Sequence, residues 1–106
     1  MVTLIGMGSG SWEALSMQAQ DAVRRAGLVF GAKRLLAGLP PECTARQFAL
    51  YQPAEILETL AQAPGQDAAV LYSGDTGFYS GASGLLTPLR ALGIPARVYP
   101  GVSSIQ

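Results

Sequence analysis

Apolar residues along this chain fall into two kinds of run. Compact blocks rich in β-branched and aromatic residues, "VTLIG" (2–6), "GLVFG" (27–31), "DAAVLYS" (67–73) and "ARVYPG" (96–101), end at glycine or a polar residue and predict short buried strands. Between them the spacing changes to that of a helix. Ala19, Ala22, Val23 and Ala26 fall at i, i+3, i+4 and i+7, with Gln18, Gln20, Asp21, Arg24 and Arg25 largely at the other positions. Ser16 is placed to cap this helix and Gly27 to end it. A short helix is expected from Lys33 to Ala37 before "PPE" (40–42) breaks the chain, and "TARQF" (44–48) predicts a third, less buried strand. Pro53 suits the first turn of a helix that presents Ile56, Leu57 and Leu60 together. Ala82, Leu85, Leu86 and Leu89 mark one more helical face, which Gly81, Gly84 and Pro88 should weaken or kink.

Strands alternating with helices argue for an α/β fold: a three-layer parallel sheet of about five strands with helices on both faces, joined by right-handed crossovers. The run at 67–73 is the best candidate for a central strand. Ligands of such sheets bind beyond the carboxyl ends of the strands. Three glycine-bearing segments follow strand ends here: "GMGSG" (6–10), "SGDTG" (73–77) and "PGVSS" (100–104).

Composition narrows the chemistry. The chain has 106 residues, enough for one domain with a real core, and 49% of them are apolar. Seven acidic residues balance seven basic ones, so no charge excess argues for nucleic acid, and a small-molecule ligand is expected instead. No apolar run reaches the roughly 20 residues of a membrane helix and no secretory leader opens the chain, which reads as cytoplasmic. With one cysteine and no histidine, disulfide frameworks, cysteine-rich zinc sites and His-based triads are closed to these residues.

The glycine segments are ambiguous one at a time. "GMGSG" only partly matches a dinucleotide fingerprint, because Ser11 stands where a third glycine is needed. The second strand ends Phe30, Gly31, Ala32, Lys33, without the acid that would grip a ribose. Asp75 either bonds loop amides or contacts a ligand. A phosphoryl-acceptor role lacks its partners, since Gly6 and Pro100 occupy the positions of the acids and the lysine it requires. Gly74 and Gly77 permit close backbone approach, while Phe78 and Tyr79 either stack on a planar group or fill the core.

Taken in order, "TLIGMGSG" (3–10), "YSGDTGFY" (72–79) and "VYPGVSSIQ" (98–106) resemble three segments of the tetrapyrrole methylase family, whose members move a methyl group from S-adenosylmethionine to a porphyrin-like ring. "FGAKRLL" (30–36) further resembles the branch that methylates precorrin-6Y at C5 and C15 in cobalamin synthesis. The resemblance implies that residues 1–106 form the first of two α/β domains with the cofactor in the cleft between them. The second, C-terminal domain would then lie beyond Gln106, and the first by itself would be inactive. It implies cofactor contacts at Ser9, Ser73, Gly74, Asp75, Phe78, Ser103 and Ser104. It also implies a precorrin substrate rich in carboxylates, which Lys33 and Arg34 either orient or ignore as solvated surface charges. A homodimer, or fusion to a second, decarboxylating methyltransferase, is a further implication. Ser9 and Thr76 replace prolines of the family's loops, and Gly31 stands where some members carry an acid. A catalytic base is not required, because aligning two reactive partners supplies about 7–11 kcal/mol. The competing reading is a non-catalytic α/β ligand-binding or interaction domain whose glycines only turn the chain.

Overall fold

The computed structural model describes residues 1–7, 12–50, 52–63, 65–72 and 77–99. Its elements run β1 (Val2–Gly6), a 3-10 turn (Trp12–Ala14), α1 (Met17–Arg25), β2 (Leu28–Phe30), α2 (Lys33–Leu36), β3 (Arg46–Phe48), α3 (Pro53–Ala61), β4 (Ala68–Tyr72), α4 (Gly77–Ala91) and β5 (Ala96–Tyr99). The five strands form one sheet in the order β3-β2-β4-β1-β5, and all four pairings are parallel. The expected α/β architecture is therefore present, with the 67–73 run at its centre.

Burial explains why the strands read as they do. A parallel sheet covered on both faces needs near-continuous apolar strands. Every residue of β1 and β2 is buried, as are Ala68 to Leu71 of β4, whereas β3 and β5 at the two edges are only partly buried or exposed. Side chains alternate between two cores. Val2, Leu4, Leu28, Phe30, Ala68 and Val70 pack with Ile56 and Leu60 of α3 and with Leu85 and Leu89 of α4. On the other face Ile5, Met7, Val29, Ala69 and Leu71 pack with Ala19 and Val23 of α1 and with Leu35 and Leu36 of α2.

This division follows from the path of the chain. From β1 through β2 to β3 the strands step in one direction, and α1 and α2 lie on one face. From β3 through β4 to β5 the steps reverse, and α3 and α4 lie on the other, as a constant crossover hand requires.

The helix ends carry their expected chemistry. The Ala19 N–H donates to Ser16 Oγ at 3.2 Å, and Pro53 occupies the first turn of α3, where no N–H is needed. One expectation is corrected and another extended. α1 stops at Arg25, before Gly27, because the Ala26 cap has an extended backbone and its N–H already bonds back to Ala22 and Val23. α4 runs from Gly77 to Ala91 through Gly81, Gly84 and Pro88. Leu85 and Leu89, both fully buried against the sheet, supply packing that outweighs weak local propensity.

The core predicts its own sensitivity. Leu4, fully buried on the central part of the sheet, should cost about 2–5 kcal/mol when truncated to alanine, while Leu92→Ala at an exposed position should change stability by under about 0.5 kcal/mol. Urea denaturation monitored by circular dichroism measures both.

Candidate functional site

The register of the sheet decides which segments meet. Gly6 at the end of β1 pairs with Tyr72 at the end of β4, and Ile5 pairs with Tyr99 at the end of β5. The three glycine-bearing segments therefore leave from the carboxyl ends of three neighbouring strands, β4, β1 and β5. β4 departs toward α4 on one face, while its neighbours β1 and β2 depart toward α1 and α2 on the other. Opposite departures from adjacent strands open a crevice in an open α/β sheet, and this one lies beside β4.

Of the expected cofactor contacts, Ser9, Ser73, Gly74, Asp75, Ser103 and Ser104 lie outside the described residues. Phe78 is in the first turn of α4, but its side chain also falls outside them. Lys33 and Arg34 open α2 just past the end of β2, on the same rim of the sheet, and both are exposed. Neither forms an ion pair with another described residue. Two exposed cations, without an ion pair among the described residues, thus stand on the rim where the glycine segments leave.

Gly31 has a different role from its neighbours. It is buried, its N–H donates to the Phe48 carbonyl at 3.2 Å, and the preceding Phe30 ring stacks on Phe48 with centroids 5.2 Å apart. A Cβ built on Gly31 would lie 3.0 Å from Leu71 Cβ and 3.3 Å from the Leu71 carbonyl oxygen. The ends of β2 and β4 approach closely at this position, so a side chain here would require Leu71 to give by a few tenths of an ångström.

Tyr72, the last residue of β4, is partly buried, and burial pushes its phenol up to about 12. It stays neutral at physiological pH. Its backbone carbonyl accepts the Met7 N–H at 2.8 Å, so β1 and β4 remain joined one residue beyond the last paired position. Burial also pushes the Cys43 thiol up, with Glu42 adding to the effect and Arg24 opposing it, which keeps that cysteine in its unreactive form.

A feature that the sequence reading passed over is Trp12. It follows the opening glycine segment, and its ring is 8% exposed among Ala19, Val23, Leu36 and Cys43. Gln20 Nε2 donates to its carbonyl at 3.0 Å, and the Arg24 guanidinium carbon sits 5.7 Å from its ring centroid. A lone tryptophan just after a glycine run was the available signal.

A cavity of about 400 Å³ lies elsewhere, lined by Thr3, Asp21, Arg25, Asp67, Arg97 and Tyr99 on the α1 side of β1 and β5. It runs from Met1 and Asp67, at the amino ends of β1 and β4, to Tyr99 at the carboxyl end of β5. Among the described residues no cluster of three acidic, cysteine or histidine side chains could hold a metal ion, and no helix is long and apolar enough to cross a membrane.

Known proteins resemble this chain in sequence and in fold. The family model described as Tetrapyrrole (Corrin/Porphyrin) Methylases matches residues 1–106. A precorrin-4 C(11)-methyltransferase of Mycobacterium tuberculosis is 32% identical over 95% of this chain and 43% of its own length. A cobalt-factor III methyltransferase of Priestia megaterium is 29% identical over 97% of this chain and 21% of its own length. Among solved structures, a uroporphyrin-III C-methyltransferase from Thermus thermophilus superposes with a TM-score of 0.70 at 30% identity, covering 95% of this chain and 47% of that one. A cobalt precorrin-4 methyltransferase of cobalamin biosynthesis shares the fold with a TM-score of 0.72 at 20% identity. The chain thus spans less than half the length of these relatives.

Two measurements test the site's packing. Gly31→Ala should destabilise the fold by about 1–3 kcal/mol, because the added methyl overpacks Leu71. A midpoint of urea unfolding equal to that of the wild type would refute the close approach. Tyr72 has a folded pKa above its unfolded one, so its contribution is complete below pH about 10 and is lost as pH rises toward about 12. Tyr72→Phe should flatten that part of the stability profile.

Proposed function

The chain belongs to the tetrapyrrole (corrin/porphyrin) methylases, and from that premise we propose that it forms the cofactor-side half of an S-adenosylmethionine-dependent C-methyltransferase acting on a precorrin in cobalamin synthesis. The observation that carries this reading is the parallel register that sends segments 8–11, 73–76 and 100–106 from three adjacent strand ends beside a change of direction in the sheet. S-adenosylmethionine brings an electrophilic methyl group on a sulfonium. The residues assigned to hold it are Ser9, Ser73, Gly74, Asp75, Phe78, Ser103 and Ser104. Glycine backbone at 74 allows close approach, Asp75 fixes the loop or accepts a hydrogen bond, and Phe78 lines an apolar wall.

Lys33 and Arg34 are assigned to the acceptor. Exposed, free of ion pairs with other described residues, and beside the end of β2, they suit a substrate that carries several carboxylates. Position 31 carries no acid, and the approach of Leu71 leaves no room for one without movement. Catalysis on this side of the cleft therefore consists of holding and aligning the partners rather than moving a proton.

The acceptor has two candidates. The segment "FGAKRLL" favours precorrin-6Y, whereas the relatives at 32% identity are named for precorrin-4. The remaining length of such relatives is consistent with a second domain that completes the cleft, and a homodimer is part of the same proposal.

Calorimetric titration of S-adenosylhomocysteine into this chain and into the protein extended through its natural downstream residues tests the reading. Binding by the extended form and little or none by residues 1–106 is expected. Absence from both would favour a non-catalytic α/β interaction domain. In the extended protein, Arg34→Ala should raise the KM for the precorrin several-fold and leave cofactor affinity within about twofold, as expected for loss of one charge-assisted contact. Unchanged KM would remove Arg34 from the acceptor site.

A further inference from the structure

We infer that the trough between α1 and β5 is a docking surface for the residues that follow Gln106, which lie across it and meet its unpaired donors with hydrogen-bond acceptors. A parallel sheet is built to be covered on both faces. β5 has such a cover on one face, where Ala96 and Val98 pack into the core that α3 and α4 complete. On the other face Ala19 and Val23 of α1 pack with Ile5, Val29, Ala69 and Leu71, toward β1, β2 and β4. The flank of α1 that carries Gln18, Asp21 and Arg25 is left beside β5 across an open cavity of about 400 Å³. No described element fills it.

The lining says what kind of cover is missing. Thr3, on an interior strand, is 6% exposed and lines the cavity, yet its hydroxyl makes no hydrogen bond to a described residue. Buried hydroxyls are ordinarily bonded. The two acids of the lining are already engaged, Asp21 by Arg24 and Asp67 by the Met1 amino group, each at 3.3 Å. Arg25 and Arg97 are exposed and form no ion pair among the described residues. Arg97 Nη1 donates to the Tyr99 hydroxyl at 3.3 Å, which leaves the phenol proton to donate onward. The trough therefore offers donors, whose complement is a set of carboxylate or main-chain carbonyl oxygens. The chain itself is placed to bring them. Tyr99, the last residue of β5, stands in the cavity wall, and relatives matched over 95% and 97% of these residues are matched over only 43% and 21% of their own length. The docking runs along β1 and β5 on the α1 side, away from Lys33 and Arg34 beyond β2.

Arginine reactivity tests this without a substitution. In the protein extended through its natural downstream residues, modification by phenylglyoxal is followed at each arginine by mass spectrometry, with sedimentation to identify the monomer. Arg25 and Arg97 should react about tenfold or more slowly than Arg46 on β3 and Arg90 on α4, which are exposed away from the trough. Arg97→Glu, which sets a carboxylate against the incoming acceptors, should raise the Arg25 rate several-fold. Equal rates at all four arginines of the monomer would overturn the inference, as would protection that disappears on dilution, the mark of a second copy in the trough. An Arg25 rate unmoved by Arg97→Glu would overturn the acceptor contact. The readout needs neither cofactor nor precorrin. Failure to bind S-adenosylhomocysteine would reject the methyltransferase reading and leave the docking standing, whereas equal rates in a protein that binds it would reject the docking alone.

Discussion

The pairing of β4 with β1 on one side and β2 on the other is the constraint on which the rest of the molecule depends. It places Ala68 to Leu71 where both faces are covered, so this strand must be apolar at every position. It divides the core in two, because Ala68 and Val70 face α3 and α4 while Ala69 and Leu71 face α1 and α2. It also sets the functional rim. Pairing Gly6 with Tyr72, and extending the contact through the Met7 N–H, carries the openings of two glycine segments to the same height. A slip of one residue would invert every side chain of β4 between the two cores and take the end of β4 out of line with the end of β1.

Chemistry at that rim is governed by what the backbone leaves free. Close approach of β2 to β4 crowds position 31, and the charged groups appear only two residues later, at Lys33 and Arg34. In the proposed reading these cations meet anionic groups at the margin of the rim, and the glycine segments meet the cofactor. These 106 residues bring no titrating histidine to it with which to shuttle protons. Such an arrangement suits a reaction between partners that are already reactive, in which orientation is the protein's contribution.

Much of the architecture was legible because buried parallel strands and amphipathic helices leave different spacings. Val2 to Gly6 and Ala68 to Tyr72 were readable almost residue by residue, as were the Ser16 cap and the Pro53 start. α4 was readable from the spacing of Ala82, Leu85, Leu86 and Leu89, although Gly81, Gly84 and Pro88 argue locally for a weaker helix than Leu85 and Leu89 stabilise through the core. The order of the strands was also hidden. Nothing local in "ARVYPG" says that it pairs with β1 and forms an edge, because that outcome depends on contacts more than 90 residues apart in sequence, such as Val2 with Ala96. For the candidate site, Lys33 and Arg34 were readable as cations after a strand, but their freedom from partners among the described residues was not.

The amino-acid sequence by itself determined the element types, the α/β class, the absence of histidine chemistry and the three glycine segments that resemble a methylase. Each of these depends on residue identity and short-range spacing. Tertiary structure decided which strand ends stand side by side, why position 31 is crowded by Leu71, and how Gln20 and Arg24 come to meet Trp12. Those features arise from packing between segments distant along the chain, where the identity of one partner says nothing of where the other will lie.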